Sequence, residues 1–310
     1  MIYTVTFNPA LDYVMNVDNM QTGIINRAES EQLFYGGKGI NVSVILSRLG
    51  IDNTALGFAA GFSGDKLVQM LDSDGIKNDF IKLKNGLTRI NVKIKSDNET
   101  DINASGPDIQ SNNLEMLFEK LDKLKQGDIL VLAGSIPKSL PDNIYEEILC
   151  RLNNKGIKSI VDATGDLLLN VLKYKPFLIK PNHHELGELF GVAVNGIDDI
   201  IKYGKLLQEK GAENVLISCG KKGAVLIDNQ GSVHQIGNVP GKIVSSVGCG
   251  DSMVAGFIAG YIESKSYSYA LKLGAACGNA TAFSQSLATK KEIEAMLENE
   301  HLGVDFNENC

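Results

Sequence analysis

The chain has 310 residues, 44% of them hydrophobic and 22% charged, enough to bury a substantial core in one large α/β domain or two smaller ones. Its net charge of −7 argues against a surface built for nucleic acid or anionic membrane. The apolar run at 253–262 is far shorter than the ~20 residues that cross a bilayer.

In chain order, residues 2–7, 54–58, 129–133, 159–162, 177–179 and 215–218 read as buried strands. Amphipathic stretches lie between them at 65–74, 142–153 and 198–210, the first and last stopped by Gly75 and Gly211. This alternation predicts a mostly parallel sheet covered by helices on both faces. Two segments break the rhythm. Residues 13–34 alternate polar and apolar without a helix, and 88–103 set Ile90, Val92 and Ile94 against Arg89, Asn91, Lys93 and Lys95. Both read as strands outside the main sheet, of the kind that makes a lid or a pairing surface. Cys150, Cys219, Cys249, Cys277 and Cys310 show no metal-ligand spacing, and the opening strand pattern carries no basic n-region. The expectation is a cytoplasmic protein with reduced thiols. The adjacent His183 and His184 read as exposed loop side chains, and 298–310 carries no motif.

Four polar or glycine-rich motifs fall at predicted strand ends, where open α/β sheets bind ligands. Gly36-Gly37-Lys38-Gly39-Ile40-Asn41 lets the backbone approach a ligand and supplies a cation, but it is not a P-loop. No G-x-G-x-x-G follows the first strand; Asn8-Pro9-Ala10-Leu11-Asp12 stands there, which weighs against a dinucleotide-binding dehydrogenase. In Lys180-Pro181-Asn182-His183-His184-Glu185, Asn182 and Glu185 are one helical turn apart and could hold a hydrated Mg²⁺; Glu185 reads equally as a helix N-terminal charge. Ser218-Cys219-Gly220-Lys221-Lys222-Gly223 could clasp nucleotide phosphates or simply turn a hairpin. The most informative motif is Gly248-Cys249-Gly250-Asp251, opening an apolar helix. Free amides and the positive end of the helix dipole would hold an anion there, with Asp251 beside it. A carboxylate at an anion cradle can deprotonate a hydroxyl and direct it at a phosphoryl group. That points to a kinase.

On these motifs the chain resembles the phosphofructokinase B family of ribokinase-like sugar kinases over essentially its full length. The segments 36–42 and 247–256 are similar to that family's two signatures; 6–12, 134–137 and 180–186 fall where its members carry equivalents. Lys38 and the Asn-Pro-Ala-Leu-Asp opening are most similar to bacterial 1-phosphofructokinases and tagatose-6-phosphate kinases. The resemblance implies a ribokinase-like three-layer α/β sandwich, residues 1–310 forming one domain, with a small β-sheet lid from about 12–35 and 88–104. It implies ATP-dependent phosphorylation of fructose 1-phosphate, or alternatively of tagatose 6-phosphate, with Mg²⁺. It further implies Asp251 as base and Gly248, Cys249 and Gly250 as the anion hole. Asp12, Gly36, Gly37 and Asn41 would hold the sugar, and Lys38, Arg89 and Ser135 its phosphate. Arg27 would reach the substrate from the lid, within the chain or from the partner of a lid-paired homodimer. Lys180, Asn182, Ser218, Cys219, Gly220, Lys221, Lys222, Gly223 and Asn279 would line the ATP side, with Glu185 organising the metal. A non-catalytic sugar-phosphate sensor is opposed by Asp251 standing with both glycines, Lys180 and Glu185. The chain differs from many relatives at Ser245, where they carry aspartate or asparagine; in some of them that position helps bind a monovalent cation.

Overall fold

The computed structural model describes residues 1–303; Cys310 and the rest of the terminal segment lie outside them. The strands are β1 (Ile2–Thr6), β2 (Ala10–Asn16), β3 (Ser30–Gly36), β4 (Asn53–Ala60), β5 (Ile81–Leu83), β6 (Arg89–Lys95), β7 (Thr100–Ile102), β8 (Ile129–Ala133), β9 (Lys158–Asp162), β10 (Leu178–Ile179), β11 (Asn214–Ser218), β12 (Ala224–Ile227) and β13 (Val233–Ile236). The helices are α1 (Lys38–Arg48), α2 (Gly61–Ser73), α3 (Ser111–Leu121), α4 (Ile144–Leu152), α5 (Gly165–Val171), α6 (His183–Phe190), α7 (Ile197–Glu209), α8 (Cys249–Ser264), α9 (Tyr267–Ala282) and α10 (Lys290–Leu297).

The main sheet has nine strands in the order β13-β12-β11-β10-β9-β8-β1-β4-β5. Its seven strands from β11 to β5 run parallel, and β12 and β13 fold back antiparallel at one edge. The central strands are buried on both faces, so they read as continuous apolar runs rather than alternating ones. In β8, Leu130 and Leu132 enter the core beneath α3, α4, α5, α6 and α7. Ile129, Val131 and Ala133 point the other way, into the core beneath α1, α8, α9 and α10. The result is the expected three-layer α/β sandwich.

The two rhythm-breaking segments form a separate four-stranded sheet, β3-β2-β6-β7. Residues 17–29 link β2 to β3 with no strand, and carry Ile24 and Ile25 exposed. In β6 the polar residues Arg89, Asn91, Lys93 and Lys95 line a cavity, so the side expected to face solvent faces a site instead.

The sequence reading lacks β5, β13, α3, α5, α9 and α10. The case of α9 has a clear physical reason. It is buried almost all round, so it has no polar face and no 3.6-residue signature. Its glycines let it lie against α8 at close range. A Cβ on Gly256 of α8 would sit 2.6 Å from the Leu273 carbonyl oxygen and 2.7 Å from Cys277 Sγ, both in α9. This contact fixes the helix whose N-terminus carries Asp251. Gly256→Ala should therefore destabilise the fold by about 1–3 kcal/mol despite alanine's better helix propensity, read as a lower urea midpoint. An unchanged midpoint would mean that the two helices can part freely.

Candidate active site

The C-terminal ends of β1, β9, β10 and β11 open onto two adjoining cavities of about 1130 and 1300 Å³. Asn182, Ser218, Ser246 and Gly250 line both, so the cavities meet at the start of α8. Gly248 is the N-cap of that helix at φ +78°, a left-handed conformation that favours glycine, and no side chain caps the amides behind it. Uncapped N–H groups at the junction of two cavities are an arrangement able to hold an anion.

Asp251 lies in the first turn, 6% exposed and lining the first cavity, and its Oδ2 accepts a hydrogen bond from Asn41 Nδ2 at 2.7 Å. Burial, and then the charge of Asp162, push its carboxyl up to about 6, against the opposing effects of Lys38, Asn41 and Lys180. The carboxylate is therefore neither walled into the core nor turned from the cleft.

The first cavity gathers Asp12, Gly36, Gly37, Lys38, Asn41 and Arg89 from β2, α1 and β6, with the small sheet as its roof. Asp12 Oδ1 accepts from Asn91 Nδ2 at 2.8 Å, and Lys93 Nζ stands 3.9 Å from its other oxygen. Arg89 Nε donates to the Asn8 carbonyl at 3.1 Å. Two expected residues are not brought here. Arg27 is exposed in the 17–29 linker and Ser135 is exposed after β8; neither lines the cavity. Lys38 is tied to Asp162 (Nζ to Oδ1, 3.1 Å). Burial works against the Lys38 charge, yet Asp162, Asp251 and Glu185 outweigh it and raise its pKa.

The second cavity is lined by Asn182, Ser218, Gly220, Lys221, Lys222, Gly223, Cys249 and Asn279, with Met253, Val239, Pro240 and Phe283 as apolar wall. The Gly220–Lys222 segment is a short 3₁₀ turn leading into β12, so the hairpin reading is realised there, with Gly220, Lys221, Lys222 and Gly223 along the cavity wall. Asn279 is mainly a brace: its Nδ2 donates to Asn238 Oδ1 at 2.8 Å and its Oδ1 accepts from Val239 N at 3.2 Å. Cys219 is a correction. Its side chain is buried in the core beneath α7, lines neither cavity, and its thiol is pushed up to about 12 by burial. His183 and His184 are not loop residues either; they open α6 and border the second cavity.

Asn182 and Glu185 form a capping box. Asn182 Oδ1 accepts from the His184 and Glu185 amides at 2.9 Å each, and Glu185 Oε2 accepts from the Asn182 amide at 2.8 Å. The helix-charge reading of Glu185 is thus realised. Its second oxygen has no hydrogen-bond partner among the described residues, and Glu185 lines the first cavity. Among those residues no cluster of three His, Cys, Asp or Glu side chains could cage a metal. That donor set suits a largely hydrated Mg²⁺ shared with phosphate oxygens rather than a protein-only cage.

Asp162, Asn91, Lys93, Lys95 and the 238–243 wall were missed as site residues. For Asp162 a signal existed, a lone carboxylate ending a buried strand. For the wall there was none.

Residues 5–294 match the pfkB family of carbohydrate kinases. The chain is 44% identical over 298 residues to a 1-phosphofructokinase of Bacillus subtilis (strain 168), covering 96% of this chain and 97% of that one. It is 37% identical over 295 residues to a D-tagatose-1-phosphate kinase of Bacillus licheniformis, covering 95% and 96%. The crystal structure of phosphofructokinase-2 from Escherichia coli in complex with substrates and products superposes with a TM-score of 0.90 at 27% identity, over 96% of this chain and 98% of that one. With its two-cavity site, its paired glycine motifs and these relatives, the chain belongs to the pfkB family of carbohydrate kinases.

Proposed function

We propose that the protein transfers the γ-phosphoryl group of ATP to the C6 hydroxyl of fructose 1-phosphate, giving fructose 1,6-bisphosphate. The observation that carries this reading is the buried Asp251 carboxylate, raised to about 6, at the uncapped start of α8 where two cavities meet. A base with a pKa near 6 is ionised at neutral pH, yet basic enough to take a proton from an alcohol as it attacks.

The first cavity would hold the sugar phosphate. Asp12 and Asn41 accept from and donate to its hydroxyls, Gly36 and Gly37 give it close backbone approach, and Arg89 binds its phosphate. Asp251 draws the C6 proton. The amides of Gly248, Cys249 and Gly250 stabilise charge on the phosphoryl group in flight. Lys38, held beside Asp251, is better placed for that charge than for the phosphate already on the sugar. Asn182, Ser218, Gly220, Lys221, Lys222 and Gly223 flank the nucleotide phosphates, and the apolar wall with Phe283 suits the adenine. Mg²⁺, held through water by Asn182 and Glu185, would supply charge neutralisation at the phosphate oxygens. The roof sheet would close as a lid and exclude water. Exposed Ile24 (61%) and Ile25 (86%) in the roof linker, with its uncovered strand edges, favour a homodimer through the lid, in which Arg27 could reach the partner's site.

The names of two relatives, a 1-phosphofructokinase and a D-tagatose-1-phosphate kinase, both favour phosphate at C1 of the substrate. The second reading is accordingly a tagatose phosphate, carried at C1 rather than at the C6 expected from sequence. An ADP-release assay across fructose 1-phosphate, fructose 6-phosphate, both tagatose phosphates and unphosphorylated sugars tests the proposal. Fructose 1-phosphate should give the highest kcat/KM, and no turnover with any phosphosugar would sink the reading.

Further outcomes follow from the residues. Asp251→Asn should lower kcat by about 10²–10⁴ with the fold intact, the range usual for loss of a general base. Because Asp251 works deprotonated, kcat/KM, which reports the free enzyme, should fall on the acid side of pH about 6 and be flat above it; a limb near pH 4 would contradict the burial argument. Arg89→Ala should raise KM for the sugar phosphate while leaving KM for ATP within about twofold, since uniform binding to one substrate is lost. Equal effects on both would remove Arg89 from the sugar side.

A further inference from the structure

We propose that Asp162 is a positioning residue for phosphoryl transfer, a buried anchor that holds Lys38 and Lys180 apart from the base and aimed at the transferring group. The proposal rests on the kinase reading above. Asp162 ends β9, is 1% exposed, and receives both ammonium groups on one oxygen: Lys38 Nζ at 3.1 Å and Lys180 Nζ at 3.4 Å from Oδ1. The two lysines come from different elements, Lys38 from the start of α1 and Lys180 from the residue after β10. Lys180, itself 5% exposed, is directed at the α8 cradle: a Cβ on Gly250 would lie 3.2 Å from its Nζ.

Asp162 is poorly explained as a stabilising group. Its Oδ2 is buried with no hydrogen-bond partner among the described residues. A buried carboxylate with an unsatisfied oxygen costs desolvation, so its ion pairs are weak evidence of net stabilisation, even though removing the carboxylate alone would strand the Lys180 ammonium. Its location explains it better. Long lysine side chains lose much rotamer freedom when fixed, and an anchor meets that cost before substrate arrives. Asp251 is faced by Lys38 and Asn41 from α1, Lys180 after β10, and Asp162 from β9. Without Asp162 the two ammonium groups would turn toward Asp251, weakening it as a base and leaving the phosphoryl group without prepared cations.

The test is Asp162→Asn, with Asp162→Ser as a second variant should the first not fold. Carboxyl ¹³C NMR of the ligand-free protein, with the Asp251 signal assigned from its absence in Asp251→Asn, follows the base directly. The expected result is an Asp251 titration moved at least about one unit more acidic and the acid limb of kcat/KM moving with it. A fall in kcat of about tenfold or more should accompany it, beyond what a lowered thermal midpoint explains, since the variant leaves the buried Lys180 ammonium without its counter-charge. Lys38→Met should move the same titration the opposite way. A wild-type Asp251 titration in a folded Asp162 variant, or a loss of kcat that merely tracks lost stability, would overturn the proposal. If the wild-type protein phosphorylates no sugar phosphate, the functional reading fails while the NMR titration still judges the anchor.

Discussion

Two carboxylates and the Lys180 ammonium, nearly buried between strand ends and a helix start, with the half-exposed Lys38 beside them, set the terms for everything around them. Asp162 and Asp251 repel each other, and Lys38 and Lys180 lie between and beside them. Charges this deeply buried are tolerated only when paired, because water no longer offsets their cost. Their partners must therefore be held in place by elements that cannot drift. Two parallel strand ends, of β9 and β10, and the N-termini of α1 and α8, all seated on the main sheet, provide that rigidity. The same low-dielectric corner that makes the cluster costly makes it effective toward a phosphoryl group, since interactions with developing charge are strong there.

The packing on either side serves this corner. Glycines bring α9 against α8 so closely that the start of α8 is fixed relative to the sheet. Leucines and valines of alternating direction lock β8 and β9 between two helical layers, which sets the height at which Asp162 projects. The small sheet seats Leu11, Leu33, Tyr35 and Ile90 on an apolar cluster with Ile40 and Val44 of α1 and Leu67 and Leu71 of α2, while its polar residues line the first cavity.

The division of the site into two cavities also has a physical logic. The second cavity has an apolar wall with lysines at its turn, whereas the first mixes apolar residues such as Leu33, Phe34 and Met70 with the charged Asp12, Lys38, Arg89, Lys93 and Asp251. The two share Asn182, Ser218, Ser246 and Gly250, at the start of α8. Family membership accords with this layout, and the catalytic assignments proposed here remain those of named atoms rather than of the family as a whole.

The sequence alone determined the layer order, because buried parallel strands and amphipathic helices carry distinct periodicities. It also determined the two glycine motifs and Asp251, because glycines next to a helix start and an acid in the first turn are local signals. Tertiary structure decided the rest. Only folding shows that Cys219 turns into the core and not toward the nucleotide, since backbone direction at a strand end depends on the neighbouring β12. The inward orientation of Arg89, Lys93 and Lys95 was equally hidden: alternation marks two faces of a strand but not which face meets water. The pairing of Asp162 with two lysines joins residues far apart in the chain. Charge pairs of that kind leave no periodic trace, because their geometry is set by the sheet and not by spacing along the sequence.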